Sequence, residues 1–159
     1  MELAKKETLL KMIQNSIVSP NYLFRNLYFR NEGGDIIDIL EDGGLSCAVF
    51  VSWILIPLGL LKSAHATVSA TIKDLKESGW KEITDLKPGA VLLWEQKVGD
   101  DDGKMHDHLG FFLGNDEAVS NNSRGTGGGE RIPHKHHYTY NDTRKIEKIF
   151  WNPDLDDKR

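Results

Sequence analysis

The chain has 159 residues, of which 39% are hydrophobic and 28% charged, and its formal net charge is -4. This length allows one domain with a hydrophobic core and is too short for two domains of ordinary size, so we expect residues 1–159 to fold as a single domain. The basic residues are scattered along the chain and form no cluster, which argues against a nucleic-acid partner.

The N-terminal part of the chain predicts a helix and has no export signal. Apolar residues recur at near-helical spacing over residues 2–17, which indicates an amphipathic helix within an N-terminal helical segment, residues 1–20, that precedes a core of residues 21–152. The first residues mix acidic and basic side chains and lack the apolar run of a secretory signal. We therefore expect a cytoplasmic protein.

The segments that follow predict a hairpin and then two helices. Residues 27–30 and 35–40 are strand-like and flank a glycine-containing turn. Residues 46–55 are apolar on nearly every side, as in a helix at the centre of a core, although a buried strand fits the same pattern. Residues 67–78 have the pattern of a second helix, and Gly79 stands where a left-handed cap would end it.

The apolar stretch around the first of these helices does not have the features of a membrane span. It runs from Leu45 to Leu61, which is shorter than the about 18 to 20 residues that a transmembrane helix needs. It also contains Pro57 and Gly59. We expect a buried helix here and no membrane insertion.

The rest of the chain predicts strands. Strand-like runs occupy residues 90–94, 108–113, 117–121 and 146–151. Helices therefore come first and neighbouring strands later, which is the layout of an α+β domain with an antiparallel sheet.

The chain has one cysteine, Cys47, at the predicted start of the central helix. A thiol is a useful nucleophile near neutral pH when a helix N-terminus and an imidazole lower its pKa from the usual value of about 8.5. His108 opens a predicted strand and is the histidine that we expect to act as base. The alternative is that Cys47 only fills the core.

Three segments occur in an order and at separations that a group of known enzymes shares. They are GLSCAVFVSW (residues 44–53), LKPGAVLLW (residues 86–94) and HLGFFLGN (residues 108–115). They resemble the nucleophile helix, the Leu-x-Pro-Gly strand entry and the histidine strand of NlpC-type peptidases and of CHAP (cysteine- and histidine-dependent amidohydrolase/peptidase) domains. The resemblance implies a papain-like α+β fold in which Cys47 is the nucleophile and His108 its base.

The chain departs from the pattern of those families beside the cysteine. Ser46 stands where they usually have an acid, and Val49 where they usually have a small residue. The tyrosine that often helps to stabilise the oxyanion is absent from residues 33–46, and Tyr28 lies too far upstream to assign. We expect the backbone N–H of Cys47 to contribute to this stabilisation.

A third polar residue should orient the imidazole of His108, and the register of one hairpin decides which residue it is. If the glycine-asparagine pair that ends the strand forms a two-residue turn, His108 lies opposite Asn121, within reach of its amide oxygen. The resemblance favours a register in which Ser120 is the third residue, with Asn122 on the same face. A one-residue slip exchanges the faces, so the two registers exclude each other. We expect Asn121, with Ser120 and Asn122 as the alternatives.

We expect no metal and no cofactor. No zinc signature matches the spacing of the clustered histidines His106, His108, His134, His136 and His137. Residues 132–138 have the composition of a surface strand edge or of the rim of a cleft. Residues 100–102 are acidic but lack the pattern of a calcium loop and predict a solvated loop. Residues 124–129 lack the features of a phosphate-binding loop and predict a mobile flap beside the site.

Together these observations predict a thiol-dependent hydrolase, a cysteine peptidase or amidase, that acts through Cys47 and His108. The resemblance points to a peptide, isopeptide or peptidoglycan-like substrate. Because one fold hosts many chemistries, a non-catalytic binding module and an acyltransferase on the same fold are the alternatives.

Overall fold

The structure, a computed structural model, describes residues 1–99, 103–122 and 130–157. Its helices are α1 (Lys5–Asn15), α2 (Cys47–Leu55) and α3 (Val68–Glu77), with short 3-10 helices at Ile56–Leu58 and Pro153–Leu155. Its strands are β1 (Tyr28–Arg30), β2 (Ile36–Asp38), β3 (Lys81–Ile83), β4 (Val91–Val98), β5 (Met105–Gly114), β6 (Glu117–Asn121), β7 (Pro133–His137) and β8 (Ile146–Trp151). The solvated loop at 100–102 and the flap at 124–129 that the sequence predicts lie outside the described residues.

The described strands form two antiparallel sheets. One is the β1-β2 hairpin, and the other has the strand order β3-β8-β4-β5-β6-β7. The fold therefore mixes helices with antiparallel sheets, which is compatible with the expected α+β layout. Within the described ranges, no helix is long and apolar enough to cross a membrane.

Helix α2 lies at the centre of the core, as its apolar sequence predicts. Phe50 is fully buried, and its ring meets Phe24 at a centroid distance of 5.1 Å and Phe111 of β5 at 5.8 Å, both edge to face. Helix α1 buries Leu9 and Ile13 in the same core. These contacts press the first turn of α2 against the middle of the sheet.

Helix α3 lies where the sequence predicts it, to within one residue at each end. Thr67 caps its N-terminus, because the side-chain oxygen accepts a hydrogen bond from the N–H of Ala70 at 3.2 Å. Gly79 follows its C-terminus with a φ of 91°, in the left-handed region. Residues 132–138, expected at a strand edge or a cleft rim, contain β7, the outer strand beside β6. Strand β3 was not predicted.

The turn between β5 and β6 differs from the predicted one. Asn115 and Asp116 have φ angles of 52° and 60°, as the two central residues of a type I′ turn require. Gly114 then pairs with Glu117. The prediction that Gly114 and Asn115 form the turn is therefore wrong by one residue.

This turn shifts the register of the hairpin. Phe111 pairs with Val119 and Phe112 with Ala118, with an irregularity beyond Phe112. The predicted pairing of His108 with Asn121 is therefore wrong, because side chains alternate between the two faces of a strand and the slip exchanges them. In the observed register Asn121 points to the opposite face of the sheet from His108.

Candidate active site

Cys47 is the first residue of α2, as predicted. The residues of this helix are nearly all buried, so packing of the helix against β5 determines where the thiol lies. Cys47 is only 8% exposed, yet it lines a cleft with a volume of about 470 Å³. The cleft opens between the N-termini of α2 and α3 and the adjacent ends of β4 and β5. The residue therefore borders the cleft, while its side chain is almost fully buried.

The surroundings of Cys47 favour the neutral thiol in the absence of substrate. Burial raises the pKa of the Cys47 thiol, and this effect outweighs the backbone N–H groups of Leu109 and Ala48, which lower it. The positive charge of Arg144 also acts to lower the pKa of this thiol, whereas the negative charge of Asp107 acts to raise it. The lowered thiol pKa expected from the sequence is thus not what the free protein shows.

His108 lies on β5 directly across from Trp94 of β4 and is 4% exposed. Its Nε2 is 2.9 Å from the Oγ of Ser120 and 2.8 Å from the hydroxyl oxygen of Tyr140. Among the described residues these are the hydrogen bonds of its ring, so none joins the imidazole to the thiol of Cys47. The thiol faces the N–H of the next residue in the strand.

The imidazole of His108 is also neutral near pH 7. Burial lowers its pKa well below 6.5, and the positive charge of Arg144 contributes in the same direction. A neutral imidazole carries one proton, so one of its two nitrogens can accept another. Which nitrogen that is depends on the groups that surround Nε2.

Contacts of His136 determine where the proton of His108 lies. The Nδ1 of His136 is 2.7 Å from the carbonyl oxygen of His137, and a carbonyl can only accept, so this Nδ1 carries a hydrogen. Burial lowers the pKa of His136 to about 4, so its ring is neutral and its Nε2 is an acceptor. Ser120 Oγ, 2.8 Å away, must donate its hydrogen to that Nε2.

With its hydrogen committed to His136, the hydroxyl of Ser120 can only accept from its other neighbours. Tyr140, 2.9 Å from Ser120 Oγ, therefore donates its hydroxyl hydrogen there. His108 in turn donates from Nε2 to the oxygens of Ser120 and Tyr140. Nδ1 of His108 is left unprotonated, and it is the ring atom that can accept a proton.

Aromatic side chains hold this network in place. The ring of Tyr140 stacks on that of His136 at a centroid distance of 3.9 Å, and the fully buried Trp94 contacts both rings and that of His108. Trp94 is itself fixed, because its Nε1 donates to the carbonyl oxygen of Tyr138 at 2.7 Å.

Gly110 is what lets β6 approach closely enough for Ser120 to reach His108. A Cβ at position 110 would lie 2.6 Å from the carbonyl oxygen of Val119, 2.8 Å from the Cβ of Ser120 and 2.9 Å from the ring of Trp94. Real side chains do not occupy such positions. The glycine two residues after His108 thus has a steric role.

The other two candidates for the third residue lie elsewhere. Asn121 is buried, with its Nδ2 3.5 Å from the carbonyl oxygen of Gly43, while its Oδ1 has no hydrogen-bond partner among the described residues. Asn122 donates from Nδ2 to the carbonyl oxygen of Glu130 at 3.0 Å. Only Ser120 of the three is hydrogen-bonded to His108, so the alternative register gives the observed geometry. Its role in catalysis stays a prediction.

Arg144 places a positive charge in the same cleft. It precedes β8, lines the cleft together with Cys47, and is held by two backbone carbonyl oxygens, that of Glu95 at 2.9 Å from Nε and that of His106 at 2.8 Å from Nη2. These carbonyls lie where the β4-β5 pairing is interrupted between Trp94 and Lys97.

The clustered histidines do not form a metal site in the described part of the chain, where no group of three or more histidine, cysteine or acidic side chains is arranged to hold an ion. His108 and His136 both use Nε2 to contact Ser120 Oγ. These two histidines therefore lie on either side of one hydroxyl group.

The sequence prediction did not include His136, Tyr140 or Arg144 among the site residues. Residues 132–138 were expected at a surface edge or cleft rim, because an alternating run of histidine and lysine gives no sign of what its inner face contacts. Tyr140 and Arg144 follow β7 in a loop that carries no motif. Only the pairing of β7 with β6, with Ser120 across from His134, could have revealed them.

Comparison with known proteins does not indicate a function, which therefore has to be inferred from the site. No protein-family model matches this chain, and no curated protein matches it either.

Proposed function

We propose that this chain is a thiol-dependent hydrolase of papain-like fold that cleaves an amide bond, with Cys47 as nucleophile and His108 as base. One observation carries the proposal: the hydrogen-bond network leaves Nδ1 of a neutral His108 as a proton acceptor, while the thiol of Cys47 faces the N–H of Leu109, the adjacent residue. Ser120 acts as the residue that orients the imidazole.

The first half of the reaction forms an acyl enzyme. Nδ1 of His108 takes the thiol proton as the sulfur of Cys47 attacks the carbonyl carbon of the substrate. The N–H groups in the first turn of α2 have no partner within the helix and stabilise the oxyanion of the tetrahedral intermediate. The imidazolium then gives its proton to the leaving amine, the C–N bond breaks, and a thioester remains on the sulfur.

The second half releases the acid. Nδ1 of His108 takes a proton from a water molecule, which attacks the thioester carbonyl, and the proton returns to the sulfur of Cys47 as the C–S bond breaks. Ser120 keeps Nε2–H hydrogen-bonded throughout, so the same nitrogen serves both steps.

The neutral state of both groups fits this sequence of proton transfers. A base must be unprotonated to act, and burial keeps His108 in that form. The thiol and imidazole of a free enzyme are often too far apart or poorly aligned and meet only when substrate is bound.

The substrate class follows from the resemblance and from the size of the cleft. About 470 Å³ accommodates a short peptide segment but not a folded chain. We propose a peptide or isopeptide substrate, with peptides of the bacterial cell wall as one source.

Formation of an acyl enzyme tests the proposal without knowledge of the natural substrate. The protein would be mixed with p-nitrophenyl acetate, and its intact mass and peptide map followed over time. We expect one acetyl group on Cys47 together with a burst of p-nitrophenolate, both abolished in Cys47→Ser and strongly slowed in His108→Gln. Acetylation that is spread over lysines and unchanged in Cys47→Ser would contradict the hydrolase.

A second candidate function is a non-catalytic binding module on the same fold. The raised pKa of the buried Cys47 thiol and the absence of a hydrogen bond between it and His108 favour this alternative. A folded protein that never acetylates Cys47, yet binds short peptides, would support it.

A further inference from the structure

The cleft beside Cys47 carries a cation that the proposed reaction does not use. Arg144 lines it, and so does Lys97 on β4, while Asp107 is the acidic side chain among the lining residues. Arg144 is close enough to Cys47 for its charge to lower the pKa of the thiol. An anionic group bound near Arg144 would therefore lie close to the reacting sulfur.

The guanidinium of Arg144 is held in a fixed orientation. Nε and Nη2 donate to the carbonyl oxygens of Glu95 and His106, which belong to two different strands. An arginine fixed in this way loses little further conformational entropy when it binds a planar anion. Its remaining donors match the geometry of a carboxylate.

Arg144 has no acidic partner in the described ranges. Glu95 and Asp107 are near enough to raise its pKa, but neither forms an ion pair with it, and the side chain of Glu95 accepts a hydrogen bond from the N–H of Lys145. Burial lowers the pKa of Arg144, because removal from water destabilises the charged guanidinium. A half-buried cation without a counter-ion is stabilised by an anionic ligand.

The N-terminus of α3 opens into the same cleft. Thr67, Val68 and Ser69 are among its lining residues, and this helix has 10 residues. The positive end of its dipole adds to the attraction that Arg144 exerts on an anion. Two independent elements thus favour negative charge in one place.

We infer that Arg144 is a specificity residue that binds a carboxylate of the substrate next to the bond that Cys47 attacks. This inference extends the proposed function and rests on it, because it takes the bound carboxylate to be part of a substrate. The preferred acyl donor is a peptide or isopeptide with a free carboxylate on or beside the scissile unit. A purely structural role, in which Arg144 only ties Glu95 to His106, predicts no such preference.

Two alkylating reagents that differ in charge separate these roles, because alkylation needs only the thiol. Iodoacetate carries a carboxylate and iodoacetamide a neutral amide in its place. The measurement is the ratio of their second-order rate constants at Cys47, followed by peptide mapping. We expect the ratio to fall about tenfold in Arg144→Gln, the effect of losing one charged hydrogen bond, and to stay unchanged in the matched control Arg30→Gln on the exposed strand β1.

Asp107→Asn should change the ratio in the opposite direction, because it removes the negative charge that opposes the anion. An Arg144→Gln protein that is folded and keeps the wild-type ratio would overturn the inference.

A measurement on the unaltered protein covers the case in which Arg144→Gln does not fold. N-acetylglycine and N-acetylglycinamide differ only in the carboxylate, and each would be added at the same ionic strength during alkylation by iodoacetamide. Stronger protection of Cys47 by N-acetylglycine supports the inference, and equal protection by the two compounds refutes it. Loss of acetyl-enzyme formation with the charge preference intact would reject the hydrolase alone and leave Arg144 as an anion-binding residue.

Discussion

Replacement of Ser120 by alanine should disable His108 while leaving the cleft in place. The hydroxyl of Ser120 accepts from Nε2 of His108 and donates to Nε2 of His136, at 2.9 and 2.8 Å. Without it, the hydroxyl of Tyr140, 2.8 Å from His108, is no longer committed and can donate to Nε2. The proton of the imidazole then moves to Nδ1, the nitrogen that must accept from the thiol.

The size of the effect follows from the hydrogen bonds that change. The wild-type tautomer is favoured by one or two buried hydrogen bonds, about 1 to 3 kcal/mol in total. Since about 1.4 kcal/mol corresponds to a factor of ten, acetylation of Cys47 by p-nitrophenyl acetate should slow by about 5- to 150-fold in Ser120→Ala. The free energy of unfolding should fall by about 1 to 3 kcal/mol, because His136 loses the donor to its buried Nε2.

The neighbouring asparagines provide matched controls. Asn121 faces away from His108 and Asn122 bonds to the backbone at Glu130, so Asn121→Ala and Asn122→Ala should keep acetylation within about threefold of the wild type. A full acetylation rate in Ser120→Ala, or a large loss confined to Asn121→Ala, would refute the role assigned to Ser120.

Two further predictions concern stability. Burial lowers the pKa of His136 to about 4, below the value of about 6.5 in an unfolded chain, so the stability that its neutral ring contributes is complete above pH 6.5 and is lost as the pH falls towards 4. Denaturant unfolding should show a decrease of about 3 kcal/mol over this interval that His136→Gln reduces, and a pH-independent stability would contradict the buried neutral ring. Gly110→Ala should destabilise the fold by at least about 1 to 3 kcal/mol and slow acetylation of Cys47, because β5 and β6 must move apart. Gly33→Ala, where a Cβ has no neighbour closer than 3.4 Å, should change the free energy of unfolding by less than about 0.5 kcal/mol, and equal effects of the two changes would argue against the close approach at Gly110.

Local patterns were sufficient for the helices and for most strands. The run of apolar residues in α2, the terminal glycine of α3 and the β-rich second half each depend on neighbours in sequence, and the structure has these elements where they are predicted. The position of Cys47 at a helix N-terminus follows from the same local information. The β5-β6 register does not follow from local information, because the same glycine, asparagine and aspartate could form the turn one residue earlier or later.

The sequence by itself determined the helices, most of the strands and the residue types available for chemistry. It also provided the hypothesis that a cysteine acts together with a later histidine. Only the tertiary structure decided which residues meet. A turn one residue beyond the expected place brings Ser120 to His108. The pairing of β7 with β6 places His136 and Tyr140 behind Ser120. The interruption of β4 brings Arg144 into the cleft. The physical reason is that helix and strand patterns record contacts within a few residues. The hydrogen bonds that hold Ser120, Tyr140 and Arg144 in this site join positions that are 12 to 49 residues apart, and strand register and steric clearance at Gly110 determine them.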